Sequence, residues 1–370
     1  MSDNFCCLPF MHLATHPNGR VGLCCEADTL NGYALSGGKR ETRKSLNNNT
    51  IEEIVNSENF NSYRLDIINN RWPEPCITCK NKELAGQTSK RQRENKKYLP
   101  FIPKEKLIER TNADGSLKEI NFSFIELRLA NTCNSACITC NPISSSRWIP
   151  DSEKLMKVLP WYKDKHKEYN NWCDSTSAFE EIANYSKDLK EIYINGGEPT
   201  LIPQHYSLLE KLISNQNAKN IKLHYSINAT RLPHELVEYW KRFQHVNVSC
   251  SIDEILGRNY YIRYPTQWTD VESTMNKLDS LNEPNLSVGI TQTVSVFNAH
   301  RLQEFSNYIN DRWPKFGVYH NYLFSPDYLS KDIAGDQITK FREFIAATDK
   351  IRNLNFANTF PELAKKYDIT

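Results

Sequence analysis

Three thiols fall within eight residues of this 370-residue chain, at Cys133, Cys137 and Cys140. Thiolates are soft ligands, so the set favours zinc or an iron–sulfur cluster over harder ions. From a single loop they can hold three irons of one cubane, which leaves the fourth iron open to a small molecule. A structural zinc site normally closes with a fourth Cys or His, and none lies close after Cys140. A second chemical pattern is Asn195-Gly196-Gly197-Glu198-Pro199. Its glycine pair permits close backbone approach to a ligand, and its carboxylate can accept from an ammonium group.

Eleven cysteines are more than packing requires, and in a reducing compartment clustered cysteines are metal ligands more often than disulfides. Besides the triad there are two doublets, Cys6/Cys7 and Cys24/Cys25, and a CxxC pair, Cys76 and Cys79. These suit one fully ligated cubane or a zinc ribbon, whose CxxC knuckle looks the same in sequence. Cys173 and Cys250 stand apart. Cys250 alternates with Val246 and Val248 and reads as core. Cys173 reads as a buried thiol before it reads as a hydrogen-atom donor.

The elements that must position these groups alternate along the chain. Strands are expected at 124–130, 190–195, 221–228, 245–251, 286–296 and 316–323, with amphipathic helices at 203–215, 233–243, 268–281 and 299–312 between them. That order predicts an α/β fold with a parallel sheet or partial barrel. The triad follows the first of these strands and the Gly-Gly-Glu run ends the second. Asn228, Ser251, Asp253, Arg263 and Gln292 lie at or near the ends of later ones, where α/β folds gather ligands. The connection 141–189 is long and carries Trp148, Trp161 and Trp172. Ahead of all this, Pro17-Asn18-Gly19 predicts a small hairpin. Thr50 is the expected N-cap of an amphipathic helix that the WPEPC run at 72–76 ends. A basic helix is expected over 80–97, its cations Lys90, Arg91, Arg93, Lys96 and Lys97 forming a solvated face.

Bulk composition removes several classes. Lys and Arg total 46 against 44 Asp and Glu, too even a balance to grip a polyanion globally. The chain is 39% hydrophobic and 11% aromatic, as a globular protein is. No stretch approaches the roughly 18 to 20 apolar residues of a membrane span. The N-terminus lacks the basic and apolar regions of a signal peptide, so a reducing cytoplasm is the expected location.

Cys133-Asn-Ser-Ala-Cys137-Ile-Thr-Cys140 resembles the CX3CX2C motif of the radical S-adenosylmethionine (SAM) superfamily, with Thr139 where an aromatic or bulky apolar residue is common. Asn195–Pro199 resembles that family's GGEP motif, whose backbone and Glu hold the amino group of SAM. The resemblance makes Gly196, Gly197 and Glu198 SAM contacts. It assigns Asn228 to the ribose, Ser251 and Asp253 to the family's Ser-x-Asp, and Arg263 to the SAM carboxylate or an adjoining one. Gln292 is expected to point inward. Cys6-x-x-Pro-Phe, Gly19 followed by Cys24, and the distant Cys76/Cys79 pair resemble SPASM and twitch modules, which bind auxiliary [4Fe–4S] clusters. Cys6, Cys24, Cys76 and Cys79 are the implied ligands, with Cys7 or Cys25 able to replace the first two. Such modules often follow the barrel, whereas this one precedes it.

The resemblance implies a module at 1–100, a linker at 101–120, a partial (β/α)6 barrel at 121–325 and C-terminal helices at 326–370. The implied cofactors are a SAM-binding [4Fe–4S] cluster, a second auxiliary cluster and SAM, with a one-electron donor such as flavodoxin or ferredoxin. The implied chemistry is reductive cleavage of SAM to a 5′-deoxyadenosyl radical that abstracts a substrate hydrogen atom. A peptide or protein side chain is the first substrate reading, and a small metabolite, sugar or nucleotide the second. The non-enzymatic reading is a metal-stabilised scaffold that grips RNA through the basic run.

Overall fold

The computed structural model describes residues 4–27, 44–163, 172–174 and 176–369. The remaining parts of the 1–100 module and of the 141–189 connection, at 1–3, 28–43, 164–171 and 175, lie outside the described residues. Two units are distinguished. One comprises Met1–Leu129, Asn170–Ile194 and Gln204–Lys222, and the other Ala130–Tyr169, Asn195–Pro203 and Leu223–Thr370.

In the first unit the strands are β1 (His12–Thr15), β2 (Val21–Gly22), β3 (Phe124–Arg128) and β4 (Glu191–Asn195), in the order β2-β1-β3-β4. β1 and β2 form the expected antiparallel hairpin, Thr15 opposite Val21, and Gly19 turns the chain with φ +79°. The hairpin is more than a local turn. β1 also pairs parallel with β3, His12 opposite Phe124, and extends the strand array that the sequence pattern began at residue 124.

Thr50 caps the helix Ile51–Val55 in a reciprocal box with Glu53. The apolar period predicts one helix from there to the WPEPC run, but the chain breaks at Asn56 and Ser57 and restarts as Glu58–Ile68. Ser57 is extended at φ −64°, ψ 157°. Asn and Ser compete with the helical ladder through their own side chains, so they favour a cap over an interior. The basic stretch is likewise two helices, Ile77–Leu84 and Lys90–Tyr98. Residues 101–120 contain the helix Lys104–Glu109 and a turn at 111–116 that packs on Glu58–Ile68. Buried Arg64 donates to the Gly115 carbonyl there at 2.7 Å, to Pro9 O at 2.9 Å and to Val55 O.

The second unit holds β5 (Lys222–Ile227), β6 (His245–Ser251), β7 (Leu286–Val294) and β8 (Gly317–Tyr322), in that order. β6 pairs parallel with β7, Cys250 opposite Ile290, and β7 parallel with β8. All six strands expected from residue 124 onward are present, and so is the α/β class. β6 alternates as a half-buried strand should, with Val246, Val248 and Cys250 inside. β8 is open instead, its Tyr319 69% and Tyr322 48% exposed. The helices Asp336–Arg352, Phe356–Thr359 and Pro361–Tyr367 bring Phe341, Phe344, Phe356 and Phe360 into one apolar cluster with Trp148, Tyr261 and Phe297. Among the described residues no helix is long and apolar enough to cross a membrane.

Candidate metal centres

The loop carrying Cys133, Cys137 and Cys140 has little regular structure, so hydrogen bonds from its neighbours must fix it. Ala136 N donates to Tyr264 O and Ile138 N to Ile262 O, both at 2.6 Å. Trp148 Nε1 donates to Cys137 O at 2.7 Å, and Ser145 Oγ to Ser135 O at 2.6 Å. Burial first, then the neighbouring Cys137, pushes the Cys133 thiol up to about 11 and the Cys140 thiol up to about 12. Burial also raises Cys137. Thiols that raise one another are costly to ionise together, and a bound cationic centre reverses that cost.

The Gly-Gly-Glu turn is stitched to the same loop. Glu198 N donates to Thr132 O at 2.8 Å. Gly197 has φ +56°, and a Cβ there would lie 2.2 Å from the Thr132 carbonyl oxygen, so only glycine permits the approach. Glu198 is 1% exposed, and burial raises its carboxyl above the usual range. Oε1 accepts from Thr200 N and Oγ1, and Oε2 from Asn228 N at 2.6 Å. A carboxylate has about four acceptor sites, so one remains on Oε2.

Asn228 braces the thiol loop. Its Nδ2 donates to Asn134 Oδ1 at 2.7 Å and to Ser135 Oγ at 3.2 Å, and its Oδ1 accepts from Thr230. Asp253 is fully buried and accepts from Arg263 Nη1 at 2.8 Å and Thr293 N at 2.7 Å. Gln292 donates to Asp253 O at 2.9 Å, while its buried Oε1 has no partner among the described residues. Ser251 is half-buried at the end of β6.

Two guanidinium groups then show what the loop is built to face. Arg263 Nε is buried without a partner among the described residues, and the charge of Arg263 favours ionised Cys133 and Cys137. Arg352, which sequence reading missed, lies 4.4 Å from the Trp148 ring centroid and 5.0 Å from that of Tyr264. Its Nε donates to Asp151 at 2.8 Å, yet both its Nη atoms are buried without partners among the described residues. Arg147, Lys154 and Arg352 share a surface pocket with Cys133. Orphaned buried donors are costly, and the sulfides and thiolates of an iron–sulfur cluster held by Cys133, Cys137 and Cys140 would supply acceptors for them. The residues fit the group.

The N-terminal unit has its own set. Cys6, Cys24, Cys76 and Cys79 line one cavity together with Trp72 and Arg91. Cys7 and Cys25 do not line it. Cys7 sits at the start of the short helix Leu8–Met11, fully buried, its N–H on Asn95 Oδ1 at 2.9 Å. Cys25 turns to Glu126, whose Oε2 accepts from Cys25 N at 3.3 Å. The same carboxylate meets His12 at 3.2 Å and Lys90 at 2.9 Å. Burial raises Cys6 and Cys24 well above the usual thiol range, and Cys76 adds to both. Cys76 itself is pushed up to about 12 by burial and then by Cys79. Four thiols around one cavity, with Cys6, Cys24 and Cys76 raised by burial and by neighbouring thiols, fit a cluster as the loop does. Among the described residues no three His, Cys, Asp or Glu close on a point as around a single ion. A cubane instead spreads its thiolates over four irons.

The basic run departs from expectation. Lys90 and Arg91 are buried rather than solvated, and Arg93 and Lys97 are paired with Glu26 and Glu191. Cys173 is 1% exposed beside Trp172, its thiol raised to about 12 by burial and then by Asp174.

Residues 6–80 match the SPASM iron–sulfur cluster-binding domain, so the N-terminal module expected from the cysteine pattern is borne out. No curated protein matches the chain. Among solved structures it is similar to anSMEcpe with bound AdoMet, at 16% identity and a TM-score of 0.40, over 63% of this chain and 62% of that one. It is similar also to SuiB of Streptococcus suis bound to S-adenosylmethionine, at 14% identity and 0.39, over 79% and 63%. The chain therefore spans about three-fifths of the length of these structures.

Proposed function

We propose that this chain is a radical SAM enzyme with one [4Fe–4S] cluster on Cys133, Cys137 and Cys140 and a second on Cys6, Cys24, Cys76 and Cys79. The observation that carries the reading is the joining of the three-thiol loop to the Gly196–Gly197–Glu198 turn, with orphaned guanidinium donors alongside. Bound to Cys133, Cys137 and Cys140, the cluster would supply one-electron reduction of SAM, the chemistry that would generate a hydrogen-abstracting radical.

The protein's own part is positional. Gly196 and Gly197 let the backbone approach the methionyl end of SAM. Glu198 keeps one acceptor site for its ammonium group. Asn228 holds the thiol loop through Asn134 and Ser135, beside the place assigned to the ribose. Asp253 fixes Arg263, which faces the carboxylate side. Gln292, whose Oε1 has no partner among the described residues, and Ser251 remain to contact the nucleoside. An external flavodoxin or ferredoxin supplies the electron. The match at residues 6–80 supports a second redox centre, which suits net oxidation of a peptide or protein side chain.

The test is anaerobic reconstitution with iron and sulfide, then dithionite and SAM. About eight irons per chain and 5′-deoxyadenosine formation are the expected result. Zinc in place of iron, or no nucleoside from the loaded protein, sinks the reading and favours a metal-stabilised scaffold.

A further inference from the structure

The helix Lys90–Tyr98 begins with two adjacent cations that are 7% and 8% exposed. Burying a charge is costly unless other groups hold it, and each has such partners. Lys90 Nζ is 2.9 Å from Glu126 Oε1. Arg91 forks onto Glu83, Nε at 2.9 Å and Nη2 at 2.6 Å, donates from Nη1 to Phe5 O at 2.8 Å, and lies 5.4 Å from the Trp72 ring centroid.

Each Arg91 partner belongs to a segment that carries a cavity cysteine. Phe5 precedes Cys6, Glu83 is one helical turn after Cys79, and Trp72 opens the run that ends at Cys76. Arg91 is itself among the residues lining the cavity, and Glu83 is not. The carboxylate thus anchors the cation from outside while the guanidinium faces the thiols. Its charge acts on Cys6, Cys76 and Cys79, and that of Lys90 on Cys24.

We infer that Arg91 is the positioning residue of the auxiliary cluster, joining the Cys6 segment to the Cys76–Cys79 segment and setting its reduction potential through a buried positive charge. The inference rests on the assignment of that cluster to Cys6, Cys24, Cys76 and Cys79. Reduction adds one electron and no proton, so the reduced state carries one more negative charge. A fixed cation in a low-dielectric site stabilises that state more than the oxidised one and raises the potential.

The experiment uses full-length protein carrying Cys133/Cys137/Cys140→Ala, so that only the auxiliary site holds iron. Iron is counted, and the cluster is titrated with dithionite through mediators, read by electron paramagnetic resonance. Arg91→Gln is expected to hold about four irons while its reduced-to-oxidised ratio at fixed potential falls about tenfold, about 59 mV for one electron. Arg91→Lys keeps the charge and restores most of that shift. Glu83→Gln removes the counter-charge and moves the potential upward. A loaded Arg91→Gln protein at the parent potential overturns the inference. Should Arg91→Gln lose its iron, Glu83→Gln decides, and an unmoved or lowered potential there overturns it equally. No iron in the parent with Arg91 intact sinks the cluster assignment instead.

Discussion

The loop Cys133–Cys140 draws three thiols from eight consecutive residues, and the end of a helix and the end of a strand brace it from outside. The N-terminal cavity draws four from three separate segments, and buried side chains join those segments. In the loop the guanidinium groups of Arg263 and Arg352 keep donors without partners among the described residues, and Cys133 and Cys140 are half-buried, as Cys76 is in the cavity. In the cavity, Arg91 and Lys90 are held by carboxylates. The contrast separates two demands on thiolate sites. A centre that exchanges ligands needs open coordination and spare donors, whereas one that only passes electrons needs closure and fixed charge.

The largest expected effects come from the thiols. Ala at Cys133, Cys137 and Cys140 together lowers iron from about eight to about four per chain and abolishes 5′-deoxyadenosine formation. Cys6→Ala and Cys24→Ala each remove the auxiliary cluster, whereas Cys7→Ala and Cys25→Ala spare it. Equal iron loss from both members of a doublet breaks the assignment. Next comes Gly197→Ala, where the clash with Thr132 O and the left-handed φ cost about 1–3 kcal/mol and weaken SAM binding. Gly257→Ala in the helix Leu256–Ile262 meets nothing within 4 Å and is expected to be neutral or stabilising by about 0.5–1 kcal/mol. Urea unfolding of both variants checks the pair.

The two units also differ in how pH reaches them. Burial pushes the Glu126 carboxyl up, but His12 and Lys90 outweigh it and hold it well below the usual range. A depressed folded pKa contributes stability above the unfolded value of about 4.3 and loses it as pH falls toward the folded value. Burial raises Glu198, so its contribution is full below about 4.3 and declines as pH rises through the folded value. Glu126→Gln is expected to flatten the acid limb of a urea-midpoint profile, and Glu198→Gln the decline as pH rises above about 4.3. The same slope in both variants removes the distinction. Smallest is Arg352→Gln, expected to leave apo stability within about 1 kcal/mol while iron leaves the three-thiol loop faster under chelator.

Where spacing along the chain carries the information, the sequence was legible. Six strands, the Thr50 cap, the hairpin at Gly19 and the cysteine groups follow from local period and turn chemistry. The doublets did not, because Cys6 and Cys7 differ only in which way the start of the helix Leu8–Met11 sends each thiol. Lys90 and Arg91 were misread because charge pattern alone cannot reveal a carboxylate waiting at Glu126 or Glu83. Arg352 is 201 residues from its anchor Asp151, a separation that no motif spans.

The confinement of the auxiliary cavity to residues 4–91 orders events during translation. Every residue that lines it is synthesised before Cys133. A nascent chain therefore offers iron delivery a complete four-thiol set first and the three-thiol loop only later. Among ribosome-bound intermediates stalled between these points, metal would be carried by the N-terminal cysteines alone.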